Sequence, residues 1–511
     1  MAARNPLWDY QIPPMWDIQR FALEKMKTAY QNKEPGFMNL SDCGTGKTRT
    51  IIEFILWLRS IGDYTPVLVL GTRTILQTAW GDDIDKFSHG SLTYSVANAT
   101  NRRNAFDCAV DFIITNHDAV EWMARPENAH LVEKLRGAIM IVDESTAFKN
   151  GLAKRTGKAF WLSGFMRFVV PMTGTPMPQS ILDIWAQAFL ADGGKRLGRL
   201  YHRFMHQYMV REDTLIYNPK TGRSKVLPKW IAKEGAEELV FDAIADICVR
   251  FDSSTQNLPR CTQHFKYVDL PPKAMAAYRK IERDLMLISE QGTVTAESAA
   301  SLRTKLLQMC SGSVYGEDGS VVSIHDERYE LVLDLAEESR QAIIAFNYTH
   351  ERDALIAKAL KRGLLFAVID GSTSDADRIR ARDMFQAGII NYVFGHPRSM
   401  GHGITMTRGR RVIWCGPTDN GESFYQFNKR VNRGGQTEEN DIIKICARGT
   451  REEQAYHGLA LKLSDQAAFN HLFASHTKNE MQAAEKPNEV LASLLRMDDN
   501  LFIETQTNPN I

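Results

Sequence analysis

The run Ser41-Asp42-Cys43-Gly44-Thr45-Gly46-Lys47-Thr48 constrains this chain more than any other feature. Its glycines flank a stretch where the backbone must come close to an anion and a Cβ would obstruct. Lys47 adds a cation and Thr48 a hydroxyl suited to a divalent metal. The N–H groups of the loop and of the helix after it complete a nest for phosphate. The flanks fit: Phe37-Met38-Asn39-Leu40 reads as a short strand and Ile51-Ile52-Glu53-Phe54-Ile55-Leu56 as an apolar helix. Strand, phosphate loop and helix in that order belong to an α/β fold on a parallel sheet. The expected ligand is a nucleoside triphosphate held by Gly44, Thr45, Gly46, Lys47 and Thr48, with Thr48 also reaching the metal.

Two blocks of short apolar runs alternate with helical stretches. The first has candidate strands at 36–40, 67–71, 111–115, 139–143 and 168–172. The second has them at 342–346, 365–369, 391–395, 411–415 and 441–446. Such runs, bounded by turns and helices, predict parallel sheets covered on both faces. Only the first block carries a phosphate loop, so the nucleotide site is expected at the interface of two similar domains. Residues 195–335 read as mostly helical, with helical spacing over 274–290 and an exposed turn at Asn218–Arg223. The predicted division is a first lobe over 1–195, a mostly helical inter-lobe region over 196–335, a second lobe over 336–475 and a polar tail over 476–511. In the tail, 488–496 reads as a short helix.

Other residues complete a site for phosphoryl chemistry. Asp143-Glu144 closes an apolar strand, where carboxylates reach the phosphate end of a parallel sheet. Asp143 is expected to hold a metal ion and Glu144 to orient or deprotonate a water. Thr173-Gly174-Thr175-Pro176 follows another strand, and its hydroxyls are placed to link the nucleotide site to whatever the domain grips. Gln19, on a helix with Ile18, Phe21, Ala22 and Met26, has an amide able to read the donor–acceptor edge of adenine. Late in the second block, Arg430 and Arg433 stand three apart, expected on one face of a helix and suited to a phosphate arriving from the other domain.

Composition narrows the partners. The chain has 511 residues, 44% hydrophobic and 24% charged, with a net charge of +1, so no global basic field advertises nucleic acid. The 7 cysteines, at 43, 108, 248, 261, 310, 415 and 446, form no C-x-x-C pair, which argues against a zinc module and a disulfide framework. Reduced thiols, no apolar run of about 18 residues and no apolar N-terminal core predict a cytoplasmic protein away from the membrane, in a bacterial or virus-infected cell.

Order and spacing together resemble a superfamily-two helicase of the Swi/Snf-type branch, which contains chromatin remodellers and related double-stranded DNA translocases. Gln19 matches its adenine-reading glutamine and Ser41–Thr48 its motif I. Gly71-Thr72-Arg73-Thr74-Ile75-Leu76-Gln77-Thr78-Ala79-Trp80 resembles motif Ia, including the Trp. Asp143-Glu144-Ser145-Thr146-Ala147-Phe148-Lys149-Asn150 resembles the extended motif II, and Thr173–Pro176 motif III. Asp370-Gly371-Ser372-Thr373 with Arg378 resembles the second-lobe Gly-Ser/Thr…Arg signature. Ser399-Met400-Gly401-His402-Gly403-Ile404-Thr405 resembles motif V, and Gln426–Gln436 motif VI with its Arg-x-x-Arg. The likeness covers roughly residues 15–460. The chain departs from the pattern at Ser145-Thr146, where the family often has Ala-His, at Thr405 in place of Asn, and at Asn432 in place of His.

The resemblance implies two RecA-like lobes, ATP and Mg²⁺ as cofactors, and a DNA-stimulated ATP hydrolase. It implies Glu144, Arg430 and Arg433 as catalytic residues, and Thr72, Arg73, Thr173, Thr175, Ser399, His402 and Thr405 as residues coupling the site to DNA. Double-stranded or branched DNA, held mainly through its backbone, is the implied partner, with replication or recombination proteins beside it and a monomeric motor. A nucleotide-gated recruitment module and an RNA helicase are the rival readings.

Overall fold

The computed structural model describes residues 12–72, 76–218, 223–252, 258–290, 296–316, 318–400, 404–461, 463, 477, 480 and 481. Side chains at 77–79, 214–229, 284–290 and 296–300 lie outside the description.

Strands in chain order are β1 (Met38–Asn39), β2 (Val67–Gly71), β3 (Tyr94–Ala97), β4 (Phe112–Asn116), β5 (Ile139–Asp143), β6 (Phe168–Met172), β7 (Met209–Asn218), β8 (Arg223–Ala232), β9 (Cys248–Val249), β10 (Cys261–Val268), β11 (Ser313–Tyr315), β12 (Val321–Ser323), β13 (Ala342–Ala345), β14 (Phe366–Ile369), β15 (Tyr392–Gly395), β16 (Arg411–Trp414) and β17 (Asn440–Ala447). β7 pairs with β8 and β11 with β12 in two antiparallel ribbons, and the others build two parallel sheets. One has 7 strands in the order β3-β4-β2-β5-β6-β1-β9, the other 6 in the order β10-β17-β16-β13-β15-β14. This is an α/β fold with two parallel-sheet lobes.

Both sheets are buried on both faces because their central strands are apolar at every position. In β2, Val67 and Val69 enter one core with Trp80, Ile51 and Phe54. Leu68 and Leu70 enter another with Phe106, Leu131 and Leu162. The period-2 alternation of a strand thus feeds two cores. β13 does the same, with Ile343 and Ala345 on one side and Ala342 and Ile344 on the other.

Register sets the site. Asp143 pairs with Met172, Met172 with Asn39, and Asn39 with Val249, so β5, β6, β1 and β9 end level with one another. The chain leaves each strand at the carboxyl edge of the sheet, where α/β folds bind ligands. The carboxylates after β5, the threonines after β6, the phosphate loop after β1 and Arg250 after β9 are therefore neighbours.

The expectation of a mostly helical stretch over 196–335 needs amending in its strands. β7 and β8 form an antiparallel ribbon from Met209↔Ala232 to Asn218↔Arg223. Of the turn expected at 218–223, residues 219–222 lie outside the described residues. β9 completes the first sheet, and β10 pairs along its whole length with β17 to become an edge of the second. Two-residue β9 carries too short a pattern to register as a strand, and β10 alternates exposed polar and aromatic residues. The helix over 274–290 is present as Pro272–Glu290. The 488–496 helix lies outside the described residues. No helix among the described residues is long and apolar enough to cross a membrane.

Candidate nucleotide site between the lobes

The loop after β1 holds Gly44 at φ 84° and Gly46 at φ 78°, backbone that L side chains avoid. Gly46 also lets Gln19 come close: a Cβ there would meet the amide end of the Gln19 side chain, which would have to move aside. The helix Lys47–Ser60 starts directly after it and points its N-terminal dipole into the loop. Lys47 folds back, its Nζ donating to the carbonyls of Ser41 at 2.7 Å and Asp42 at 3.0 Å.

Gln19 sits on the helix Asp17–Gln31, buried against this loop. Its Nε2 donates to the carbonyl of Thr45 at 3.3 Å, and its Oε1 accepts from the backbone N–H of Trp16 at 3.0 Å. Both ends of the amide are engaged with the protein, so in this conformation Gln19 props the loop.

Asp143 is fixed from three directions. Nε1 of Trp80 donates to its Oδ2 at 3.0 Å, the N–H of Glu144 donates to its Oδ1 at 3.1 Å, and Nε2 of His117 meets its backbone carbonyl at 2.7 Å. Glu144 takes φ 51° and ψ 57°, a left-handed conformation uncommon for a non-glycine residue. That turn carries its carboxylate to the hydroxyl of Thr173, which donates to Oε2 at 3.3 Å. Thr173 in turn accepts from the N–H of Thr175 at 3.1 Å.

The second lobe closes the cleft. A space of about 460 Å³ is lined from the first lobe by Gln19, Gly44, Gly46, Lys47, Thr48, Asp143 and Glu144, and from the second by Thr405, Arg430 and Arg433. Among the described residues neither arginine makes an ion pair, although Arg430 is buried. Arg430 donates from NH1 to the carbonyl of Ile404 at 3.3 Å and from NH2 to Oε1 of Gln426 at 3.4 Å. Burial, reinforced by the charge of Arg433, pulls the Arg430 guanidinium down to about 10, and burial also lowers Arg433. Buried cations without counter-ions are costly. One buried and one half-buried guanidinium beside a glycine-rich anion nest fit the polyphosphate of a nucleotide.

The expectation that both arginines share a helical face needs correction. The helix Gly421–Asn428 ends before them. The amide of Gln436 donates to the carbonyls of Gly409 at 3.0 Å and Val431 at 3.3 Å, drawing the chain into a turn that replaces the next helical turn. The guanidiniums still enter one cleft, but from a turn.

The remaining predicted residues lie around this centre. Thr45 contributes its carbonyl to Gln19. Thr72 follows β2 with its hydroxyl buried and without a hydrogen-bond partner among the described residues. Thr175 faces the second lobe, while the carbonyl of Ser399 accepts from Arg378 at 2.6 Å, away from the cleft lining. Arg73 and His402 lie outside the described residues.

Sequence reasoning gave no role to several residues that shape the site. Arg250 is fully buried; it binds Oδ1 of Asp42 at 2.7 Å and the carbonyl of Gly174 at 3.4 Å, and its NH1 donates to the carbonyl of Leu40. It thus ties the phosphate loop to the turn after β6. A lone Arg in Ile247-Cys248-Val249-Arg250-Phe251 was the available signal. Asp83 lines the same cleft, its carboxyl pushed up to about 6 by burial against the pull of Lys86 and Arg433.

Residues 18–312 match the SNF2-related domain, and residues 327–435 match the helicase conserved C-terminal domain. The chain belongs to the SNF2-related family of superfamily-two helicases. It is an ATP-hydrolysing, helicase-like motor of that family. It is 27% identical over 390 residues to putative protein p41 of Acyrthosiphon pisum secondary endosymbiont phage 1, covering 72% of this chain and 79% of p41. It is 22% identical over 504 residues to the ISWI chromatin-remodelling complex ATPase ISW1 of Saccharomyces cerevisiae, covering 91% of this chain but only 41% of ISW1. The Sulfolobus solfataricus SWI2/SNF2 ATPase core in complex with dsDNA aligns at 19% identity and a TM-score of 0.41 over 93% of this chain and 97% of that one.

Proposed function

We propose that this SNF2-related chain is a DNA-stimulated ATPase that translocates on double-stranded or branched DNA, serving replication, recombination or repair. The observation that carries the reading is the cleft itself. Lys47 and the phosphate loop stand on one lobe, and two guanidiniums without ion-pair partners among the described residues stand on the other. Neither half makes a complete site. Turnover then depends on how the lobes sit, which is what a motor requires.

The loop N–H groups and Lys47 hold the β- and γ-phosphates. Thr48 and Asp143 are the residues suited to hold Mg²⁺, which when bound neutralises developing charge on the phosphates. Glu144 orients the attacking water and takes up its proton at a carboxylate oxygen. Arg430 and Arg433 stabilise the transferred phosphoryl group when the cleft closes, a role typically worth ~10³–10⁵ in rate. Thr72, Arg73, Thr173, Thr175, Ser399, His402 and Thr405 couple this cycle to the polymer. The working units are the lobe 1–195 completed by β9 and the lobe 336–475 completed by β10.

Duplex DNA is the favoured track because motifs II and VI carry the Swi/Snf-type pattern and because a relative is named as the ATPase of a chromatin-remodelling complex. The deciding experiment compares ATPase rates with single-stranded, duplex and branched DNA and with RNA. Duplex or branched DNA should stimulate most, with a loss on raising salt as phosphate contacts weaken. Equal stimulation by RNA supports an RNA motor, and none by any polymer supports a nucleotide-gated recruitment module.

A further inference from the structure

The two lobes meet at a second point, away from the phosphate loop. Glu422 opens the helix Gly421–Asn428 of the second lobe, and its carboxylate reaches three residues of the first. Oε1 accepts from the hydroxyls of Thr146 at 3.1 Å and Thr175 at 3.4 Å, and Oε2 lies 3.7 Å from Nζ of Lys149. The Glu422 side chain is only 18% exposed and that of Lys149 23%. Thr173 and Thr175 are fully buried. A carboxylate this enclosed is held by its donors and has few other ways to satisfy its charge.

The helix makes the placement legible. Glu422 and Gln426 stand one helical repeat apart, and Arg430 follows at the same spacing just past the helix end. Phe424 and Phe427 turn the other way, into the second-lobe core. The cleft-facing stripe meets the first lobe at each step. Glu422 takes Thr146, Thr175 and Lys149, while Oε1 of Gln426 accepts from Sγ of Cys43 at 3.2 Å and from Arg430. Thr146 stands where the family often carries histidine, so this grip uses a position at which the chain departs from the frequent pattern. Its neighbour Ser145 is spent inside the first lobe, donating to Oε1 of Gln187 at 2.7 Å.

From Glu422 the contacts run to Glu144. Thr175 donates its hydroxyl to Glu422 and its N–H to Thr173, and Thr173 donates to Oε2 of Glu144. Two buried threonines therefore separate the carboxylate of the second lobe from the carboxylate at the nucleotide site. We propose that Glu422 is a positioning residue that reads the placement of the second lobe and, through Thr175 and Thr173, sets the orientation of Glu144. The proposal rests on the assignment of Glu144 made above and adds a coupling residue to it.

The test is a double-mutant cycle on the full chain with E422A and T175V, with E422Q as the conservative variant. Val is close in shape to Thr, and Gln keeps an oxygen for the two hydroxyls. Turnover and ATP affinity are read separately, with and without duplex DNA. E422A and T175V should each lower turnover by about tenfold, within the usual span of coupling between sites. ATP affinity should stay within about twofold, and the double variant should be no slower than E422A alone, because both act on one chain of contacts. E422Q should recover most of the rate. Wild-type turnover in E422A, effects that multiply in the double variant, or an E422Q as slow as E422A overturns the proposal. If E422A does not fold, T146A and T175V, which each remove one hydroxyl donor to Glu422, replace it in the cycle: each should lower turnover with ATP affinity kept, and wild-type turnover in both overturns the proposal. If DNA fails to stimulate the wild type, the motor reading falls, and the cycle read on basal turnover still decides the role of Glu422.

Discussion

The indole N–H of Trp80 donates to Oδ2 of Asp143 at 3.0 Å, joining the segment after β2 to the acidic end of β5. Trp80 is fully buried, so its indole is fixed in place and holds one rotamer of the carboxylate that lines the cleft. The second carboxylate oxygen is held by the N–H of Glu144. A metal-binding carboxylate oriented this way loses affinity when its outer partner is removed, by roughly 10–100-fold in well-studied sites.

Trp80→Phe should therefore raise the Mg²⁺ concentration needed for half-maximal ATPase by about tenfold. Turnover at saturating Mg²⁺ should fall much less. The check is a Mg²⁺ titration at fixed ATP. An unchanged midpoint means that Trp80 only fills space.

Lys47→Ala should abolish hydrolysis and weaken ATP binding, since the loop loses its cation. Glu144→Gln should separate the two effects. An amide cannot accept the proton, so turnover should drop by about 10²–10⁴ while ATP affinity stays near wild type. Equilibrium binding of a fluorescent ATP analogue beside single-turnover hydrolysis measures both. Glu144→Gln with lost affinity and normal turnover per bound ATP contradicts the role given to Glu144.

How far the sequence reaches depends on the scale of the pattern. The central strands were legible because runs such as Val67-Leu68-Val69-Leu70 and Ile139-Met140-Ile141-Val142 are apolar at every position. The placing of Lys47, Asp143 and Glu144 in one cleft followed from reading them at strand ends, and that of Arg430 from its spacing with Arg433 in the block without a phosphate loop. β9 was illegible because two residues carry no period. The helix end before Arg430 was illegible because it depends on Gln436 reaching Gly409, a contact outside any local window. Glu422 shares the period of Gln426 and Arg430, yet its partners Thr146 and Thr175 lie on the other lobe, and no spacing within one helix reveals them.

Asp83 gives a pH signature. Burial raises its carboxyl to about 6, above the usual carboxylate range near 4. Between those values the folded chain keeps a proton that the unfolded chain has lost, so stability declines as pH rises through this window. The penalty is complete above about pH 6 and absent below about pH 4. Asp83→Asn removes it. The variant should unfold a few degrees higher than wild type at pH 7.5, about 2–4 °C, and at nearly the same temperature at pH 4. Thermal melts at both pH values check this, and a gain of equal size at pH 4 points to a cause other than the charge of Asp83.

Arg433→Ala should cripple hydrolysis while sparing ATP binding. Arg433 belongs to the lobe without a phosphate loop, so it contributes little to holding nucleotide on the first lobe and acts when the cleft narrows. Its guanidinium and that of Arg430 are held below their usual range by burial, an unfavourable state that a bound polyphosphate relieves. Removing one arginine should leave ATP affinity within a few-fold and lower turnover by about 10³. Arg430→Ala should act in the same direction with an added loss of stability, because Arg430 also holds the carbonyl of Ile404 and the amide of Gln426. A thermal melt separates that component from the catalytic one. Arg433→Lys should recover little, since an ammonium lacks the planar fork that meets two phosphate oxygens at once. ATPase assays and nucleotide-binding titrations on the three variants decide the matter: turnover near wild type in Arg433→Ala removes the second lobe from the chemistry.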